Sequence, residues 1–232
     1  MKLNGNVIAH RGIFDNETVP ENSIPAFKKA IKENIPIELD VQLTKDNVLV
    51  VFHDDNLSRM TGKDIDIQKV NYSEIKDVKL LNTNEVIPTF EEILKLVDNK
   101  VLLNIEIKSN RRIKDVCTIL MNHLHLYWNY VLQSFNPFIL RYIKNHYFSV
   151  EVGLLVKNKY TGPISNLFYK SKFIVKYSKT DFLSISKKLL KNEKIRNLTK
   201  SYPTLLWTIK SDEEIQKNPN FIYICNNLPF KK

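Results

Sequence analysis

The chain has 232 residues, 35 Lys and Arg against 25 Asp and Glu, a formal net charge of +10 and 43% hydrophobic side chains. That length suits one domain of barrel size, since single α/β barrels run to about 250 residues, and a near-average composition excludes disordered, collagen-like and coiled-coil chains. The five glycines, at 5, 12, 62, 153 and 162, never fall into the G-x-G-x-x-G or G-x-x-x-x-G-K-[ST] spacing, which excludes those two nucleotide fingerprints.

In chain order, short β-branched runs alternate with helical patterns, the signature of βα units around a parallel sheet. The runs are Val7–His10, Ile37–Leu43, Val101–Lys108, Tyr130–Phe135, Glu151–Val156, Phe182–Ser186, Thr204–Ile209 and Phe221–Cys225. Several are nearly continuously apolar, as strands buried on both faces should be, and eight of them close a barrel. Helix starts are marked by Ser23 ahead of Pro25-Ala26-Phe27, by Asn136-Pro137, and by the [ST]xxE boxes Thr89…Glu92 and Ser211…Glu214. One connection breaks the rhythm: Thr44-Lys45-Asp46-Asn47 is too short for a parallel crossover, so Val48–Phe52 folds back antiparallel. The hairpin returns His53 to the level of Glu38 and Asp40. Residues 54–88 are too long for a βα loop and are expected as a small insertion over the barrel mouth, within a single domain spanning 1–232.

Charge is unevenly spread. Residues 1–150 carry 19 basic and 19 acidic side chains, and 151–232 carry 16 and 6. The stretch from Lys157 to Lys179 interleaves lysines with Tyr160, Phe168, Tyr169, Phe173 and Tyr177, which suits an anionic membrane surface; the plainer alternative is a solvated lysine face. No nucleic-acid module is present, and specific nucleic-acid binding is not expected. Cys117 and Cys225 form no CxxC pair, the first residues lack a signal-peptide stretch, and no window reaches the ~18 apolar residues of a membrane span, so a cytoplasmic protein, at most peripheral to a membrane, is expected.

Five side chains at strand ends or returns carry the chemistry: His10, Glu38, Asp40, His53 and Glu106. Glu38 and Asp40 are two apart on one strand and share a face, and Glu106 sits in the otherwise apolar Leu103-Asn104-Ile105-Glu106-Ile107-Lys108. Three oxygen donors without thiols suit a hard ion, Mg²⁺ or Ca²⁺. A structural network with Arg11 and Lys108 is the alternative; the added presence of two histidines favours the ion. His10 and His53 beside it can share acid and base duties, and Arg11 and Lys108 offer a fork and a point charge for phosphate. His123, His125 and His146 lack such company.

The set His10-Arg11-Gly12, Pro20-Glu21-Asn22-Ser23, Glu38-Leu39-Asp40, His53-Asp54, Ile87-Pro88-Thr89, Asn104-Ile105-Glu106-Ile107-Lys108, Ser134-Phe135 and Trp207-Thr208 resembles the glycerophosphodiester phosphodiesterase family, relatives of the bacterial phosphatidylinositol-specific phospholipases C. The resemblance implies a distorted TIM (β/α)8 barrel that hydrolyses glycerophosphodiesters to sn-glycerol 3-phosphate and an alcohol. It implies a divalent cation on Glu38, Asp40 and Glu106, with His10 and His53 as general base and acid, His10 preferred as the base. Arg11 and Lys108 would hold the phosphate, Glu21 would support the metal site or substrate, and Trp207 would pack on the glycerol or simply fill the barrel. The chain departs from the family at Cys225-Asn226-Asn227-Leu228-Pro229, where an acid-containing turn is common. Two other readings remain at this stage: the same chemistry on a lysophospholipid or glycerol-phosphate polymer at a membrane, and a non-catalytic barrel binding anionic ligands.

Overall fold

Val7–His10 (β1), Ile37–Leu43 (β2), Leu103–Ile107 (β4), Tyr130–Ser134 (β5), Val152–Val156 (β6), Phe182–Ser186 (β7), Thr204–Ile209 (β8) and Phe221–Cys225 (β9) all pair in parallel. The order β1-β9-β8-β7-β6-β5-β4-β2 closes on itself through β1–β2, so eight parallel strands make a barrel without free edges. The computed structural model describes residues 7–108, 111–158, 171–215, 221–226 and 228. Leu49–Val51 (β3) lies antiparallel on β2 with Val41 opposite Val51, and Phe52 N–H donates to Asp40 O at 3.0 Å. The hairpin expected from Thr44–Asn47 therefore forms, with Asn47 at φ 71° in its turn.

The helices begin where capping chemistry places them. Ser23 accepts from Ala26 N–H at the head of Ile24–Lys32 (α1), and Thr89 and Glu92 close a reciprocal box at Phe90–Val97 (α4). Asn136 caps Pro137–His146 (α6), with Pro137 in the first turn. Ile113–Leu124 (α5), Lys172–Ser178 (α7) and Glu193–Thr199 (α8) complete the outer layer. The Ser211…Glu214 box does not form. A single 3-10 turn spans Asp212–Glu214 without a side-chain cap, because the Glu214 carboxylate is taken by Lys187 and by Lys210 N–H. The Lys157–Lys179 stretch lies in part outside the described residues, at 159–170, as do Asn227 and Pro229.

Two apolar layers result. The larger one lies between strands and helices and includes Leu39, Val41, Ile105, Phe90 and Ile139. The other fills the barrel with Ile8, Leu102, Val131, Phe182, Leu205, Ile222 and Ile224. Gly153 makes room for that filling: a Cβ there would stand 2.0 Å from the Phe182 ring. Between β3 and α4, Ser58–Thr61 (α2), a 3-10 turn at Ile67–Lys69 and Tyr72–Ile75 (α3) enclose a separate cluster of Leu57, Met60, Ile67, Ile75, Val78, Leu80 and Ile87 against Val50 and Phe52. The segment expected as an insertion thus has a core of its own, seated on the hairpin. No described helix is long and apolar enough to cross a membrane.

Candidate active site

Barrel register assembles the site. His10 stands opposite Glu38, Asp40 opposite Glu106, and Glu106 opposite Gln133. His10 ends β1, and Glu106 and Gln133 are next to last in β4 and β5. Pairing brings Glu38 and Asp40, the second and middle residues of the longer β2, to this level, on the face where such barrels place their chemistry. An open cavity of about 100 Å³ is lined by His10, Arg11, Glu38, His53, Glu106, Gln133, Phe135, Leu155, Trp207, Thr208 and Ile224.

Glu38, Asp40 and Glu106 are buried, and each brings one ligand oxygen within 4.8 Å of the others. The network with Arg11 and Lys108 is also present. Lys108 Nζ lies 2.8 Å from Glu106 Oε1 and 3.4 Å from Asp40 Oδ1, and Arg11 Nε lies 3.5 Å from Asp40 Oδ2. Asn22 Nδ2 also donates to Asp40 at 2.9 Å. Glu38 receives weaker company: Arg11 backbone N–H at 3.1 Å and Gln133 Nε2 at 3.5 Å. Burial disfavours a charged Asp40, yet Lys108 and Arg11 outweigh it and hold its carboxyl below the usual range. Burial, then repulsion from Asp40 and Glu106, raises Glu38 well above its usual value; Glu106 is also raised, by burial first. Three buried carboxylates facing one another without sulfur fit a hard divalent cation, whose charge would oppose both upward shifts.

Glu21 is clamped from two sides. Its Oε1 lies 2.7 Å from Arg11 Nη1 and 2.6 Å from Arg59 Nη2. Arg11 has φ 56°, a region costly for a residue with a Cβ, and its side chain is pinned by Glu21 and Asp40. Arg59 Nε also bonds Asp54 Oδ2 at 2.5 Å, while Asp54 Oδ1 lies 2.6 Å from His53 Nδ1. His10 Nδ1 lies 2.5 Å from Asn226 Oδ1, and its Nε2 is 3.9 Å from Glu38 Oε2. Burial first, and the Arg11 charge second, push His10 down to about 4, so the ring is neutral near pH 7. Trp207 meets Phe135 edge to face at 5.9 Å, and its indole Nε1 is buried without a hydrogen-bond partner among the described residues.

Every candidate named from the sequence therefore falls in this neighbourhood. Glu21 stands one step back, behind Arg11. Asn22, Arg59, Gln133 and Asn226 carry contacts that the sequence reading did not assign. Asn22 lies within the Pro20–Ser23 motif, Gln133 is a polar side chain in the buried strand β5, and Asn226 lies in the turn that departs from the family, but nothing local marks Arg59.

The sequence profile of the glycerophosphoryl diester phosphodiesterase family matches residues 10–220. The chain belongs to this family. As a phosphodiesterase of that family it is a hydrolase of glycerophosphodiesters. A glycerophosphodiester phosphodiesterase of Caldanaerobacter subterraneus subsp. tengcongensis is 33% identical over 224 residues, covering 91% of this chain and 88% of the relative. The crystal structure of a glycerophosphodiester phosphodiesterase from Parabacteroides distasonis superposes with a TM-score of 0.76 at 27% identity, covering 97% of this chain and 93% of the other. An Oleispira antarctica phosphodiesterase, solved with the product sn-glycerol-3-phosphate, shares the fold with a TM-score of 0.80 at 24% identity, over 97% of this chain and 94% of the other.

Proposed function

We propose that this phosphodiesterase cleaves its substrate with His10 as general base and His53 as general acid. The observation that carries the reading is the shared cavity, in which both imidazoles, Arg11 and two of the three clustered acids meet. His10 takes the proton of the attacking hydroxyl, either water or the glycerol 2-OH. That oxygen bonds to phosphorus as the P–O bond to the alcohol breaks, and His53 gives a proton to the departing alkoxide; where the 2-OH attacks, water then opens the cyclic phosphate, with His53 taking its proton and His10 protonating the released 2-oxygen. The partners support this division: His53 Nδ1 lies 2.6 Å from the Asp54 carboxylate, whereas His10 Nδ1 meets a neutral amide. Arg11 and Lys108 bind the phosphoryl oxygens. Glu38, Asp40 and Glu106 would hold Mg²⁺ or Ca²⁺, which supplies positive charge against the oxyanion. Glu21 holds Arg11 in place, and Trp207 packs on the glycerol.

The test is release of glycerol 3-phosphate from glycerophosphocholine and glycerophosphoethanolamine with Mg²⁺, with Ca²⁺ and with chelator, comparing wild type with His10→Ala and Glu106→Ala. Ion-dependent release that disappears in both variants is expected. Undiminished release from folded His10→Ala protein would overturn the assignment.

A second reading keeps the chemistry and takes the substrate, a lysophospholipid, from an anionic membrane. It is favoured by one feature: Phe138 and Phe173, 48% and 63% exposed, both pack on Tyr177 from neighbouring helices. Those helices, α6 and α7, carry Arg141, Lys144, Lys172 and Lys176 and no acid. Both aromatics lie in the first turn of their helices, the end that faces the barrel's C-terminal rim. Co-sedimentation with phosphatidylglycerol vesicles should weaken with added salt and with Phe138→Ala/Phe173→Ala. Equal recovery with neutral vesicles would remove this reading.

A further inference from the structure

His10 has two ring nitrogens, and only the one without a proton can accept from the attacking hydroxyl. Which one is bare depends on what the other meets. Nδ1 meets Asn226 Oδ1 at 2.5 Å, across 216 residues of sequence. Nε2 lies toward the acid cluster, 3.9 Å from Glu38 Oε2, beyond hydrogen-bond reach.

Asn226 is held in place to make this contact. β9 pairs with β1 so that its last residue, Cys225, stands beside Ala9, which brings Asn226, just past β9, to the level of His10. The Asn226 backbone N–H donates to Ile209 O at 2.8 Å, which ties the residue to the end of β8 as well. The contact is thus a product of barrel closure between the first and last strands.

We propose that Asn226 is a positioning residue for His10: its side-chain carbonyl accepts the Nδ1 proton, leaving Nε2 bare toward the cavity as the basic atom. The inference rests on the reading of His10 as the base. An amide in this place does what a carboxylate acceptor does for tautomer and ring orientation without adding a negative charge beside three buried acids. The opposite amide orientation, with Nδ2 donating to Nδ1, would put the proton on Nε2 and leave no base facing the substrate.

The test compares wild type, Asn226→Ala, Asn226→Asp and His10→Ala for glycerophosphocholine hydrolysis with Mg²⁺. Folding of each is checked by circular dichroism, and the His10 tautomer by ¹⁵N imidazole shifts at neutral pH. Asn226→Ala is expected to lower kcat about 10- to 100-fold, the usual scale for losing a partner that orients a functional histidine, with KM within about twofold. Its His10 shifts should move from a bare Nε2 toward a mixture of tautomers. Asn226→Asp, which keeps only the acceptor, should restore most of kcat and the wild-type tautomer. If Asn226→Ala keeps wild-type kcat and tautomer, or if folded Asn226→Asp fails as Asn226→Ala does, the proposal is overturned while the function stands. If His10→Ala itself remains active, it is the base assignment that falls.

Discussion

Arg59 joins two separate parts of the chain: its Nη2 lies 2.6 Å from Glu21 Oε1, 38 residues earlier, while its Nε holds Asp54. One guanidinium thus steadies both the carboxylate behind Arg11 and the partner of His53. Arg59→Ala should lower kcat about 10-fold, and Arg59→Lys should not restore it, because a single ammonium cannot serve two carboxylates in a fork. As the side chain is 45% exposed, the stability cost should be only about 1 kcal/mol. Steady-state kinetics beside chemical denaturation separates the two effects; full activity in Arg59→Ala would show that Asp54 holds His53 unaided.

Glu21 links pH to stability. Burial raises its carboxyl, but the bonds from Arg59 and Arg11 prevail, and the folded-state value lies below 4.5. A depressed acid contributes stability that is present above its unfolded value and lost as pH falls through the folded one. Urea unfolding of wild type and Glu21→Gln should therefore show wild type ahead at pH 7, with the gap narrowing below about pH 4.5. A gap equally wide at pH 7 and pH 3 would contradict this account.

The acid cluster predicts stabilisation by ions. Mg²⁺ or Ca²⁺ at 100 times its Kd should raise stability by about 2.7 kcal/mol through binding to the folded state alone. Chelator should reverse the rise in Tm, and Glu106→Gln should reduce it. The same rise in wild type and Glu106→Gln would place the ion elsewhere.

Inside the barrel, Gly153→Ala puts a methyl 2.0 Å from the Phe182 ring. The expected loss is about 1–3 kcal/mol from overpacking. Phe182→Leu in the same chain should recover part of it, giving a favourable coupling in a double-mutant cycle. Additive losses would mean that the ring does not meet the new methyl.

Cys117 and Cys225 are both buried, and burial pushes each thiol up to about 12. At pH 8 only about one in ten thousand of each would be thiolate. Ellman's reagent should find no fast-reacting thiol in the native protein and two after denaturation. A rapid native reaction would place at least one of them at the surface.

The amino-acid sequence alone determined the strands, the antiparallel return and three of the four helix starts it marked, because continuous apolar runs, short turns and capping residues act over a few neighbours. It also marked the acids and histidines, which stand out as charge in apolar strands such as Leu103–Ile107. Ser211…Glu214 misled because a capping acid acts locally only when no stronger partner is near, and Lys187 is such a partner. Tertiary structure decided what completes the site. Asn226 reaches His10 because the last strand closes on the first, and Arg59 reaches Glu21 because the segment after β3 folds on its own small core. Polar contacts of this kind are set by the docking of whole elements, whose geometry depends on the sum of many packed side chains rather than on any residue near them in the chain.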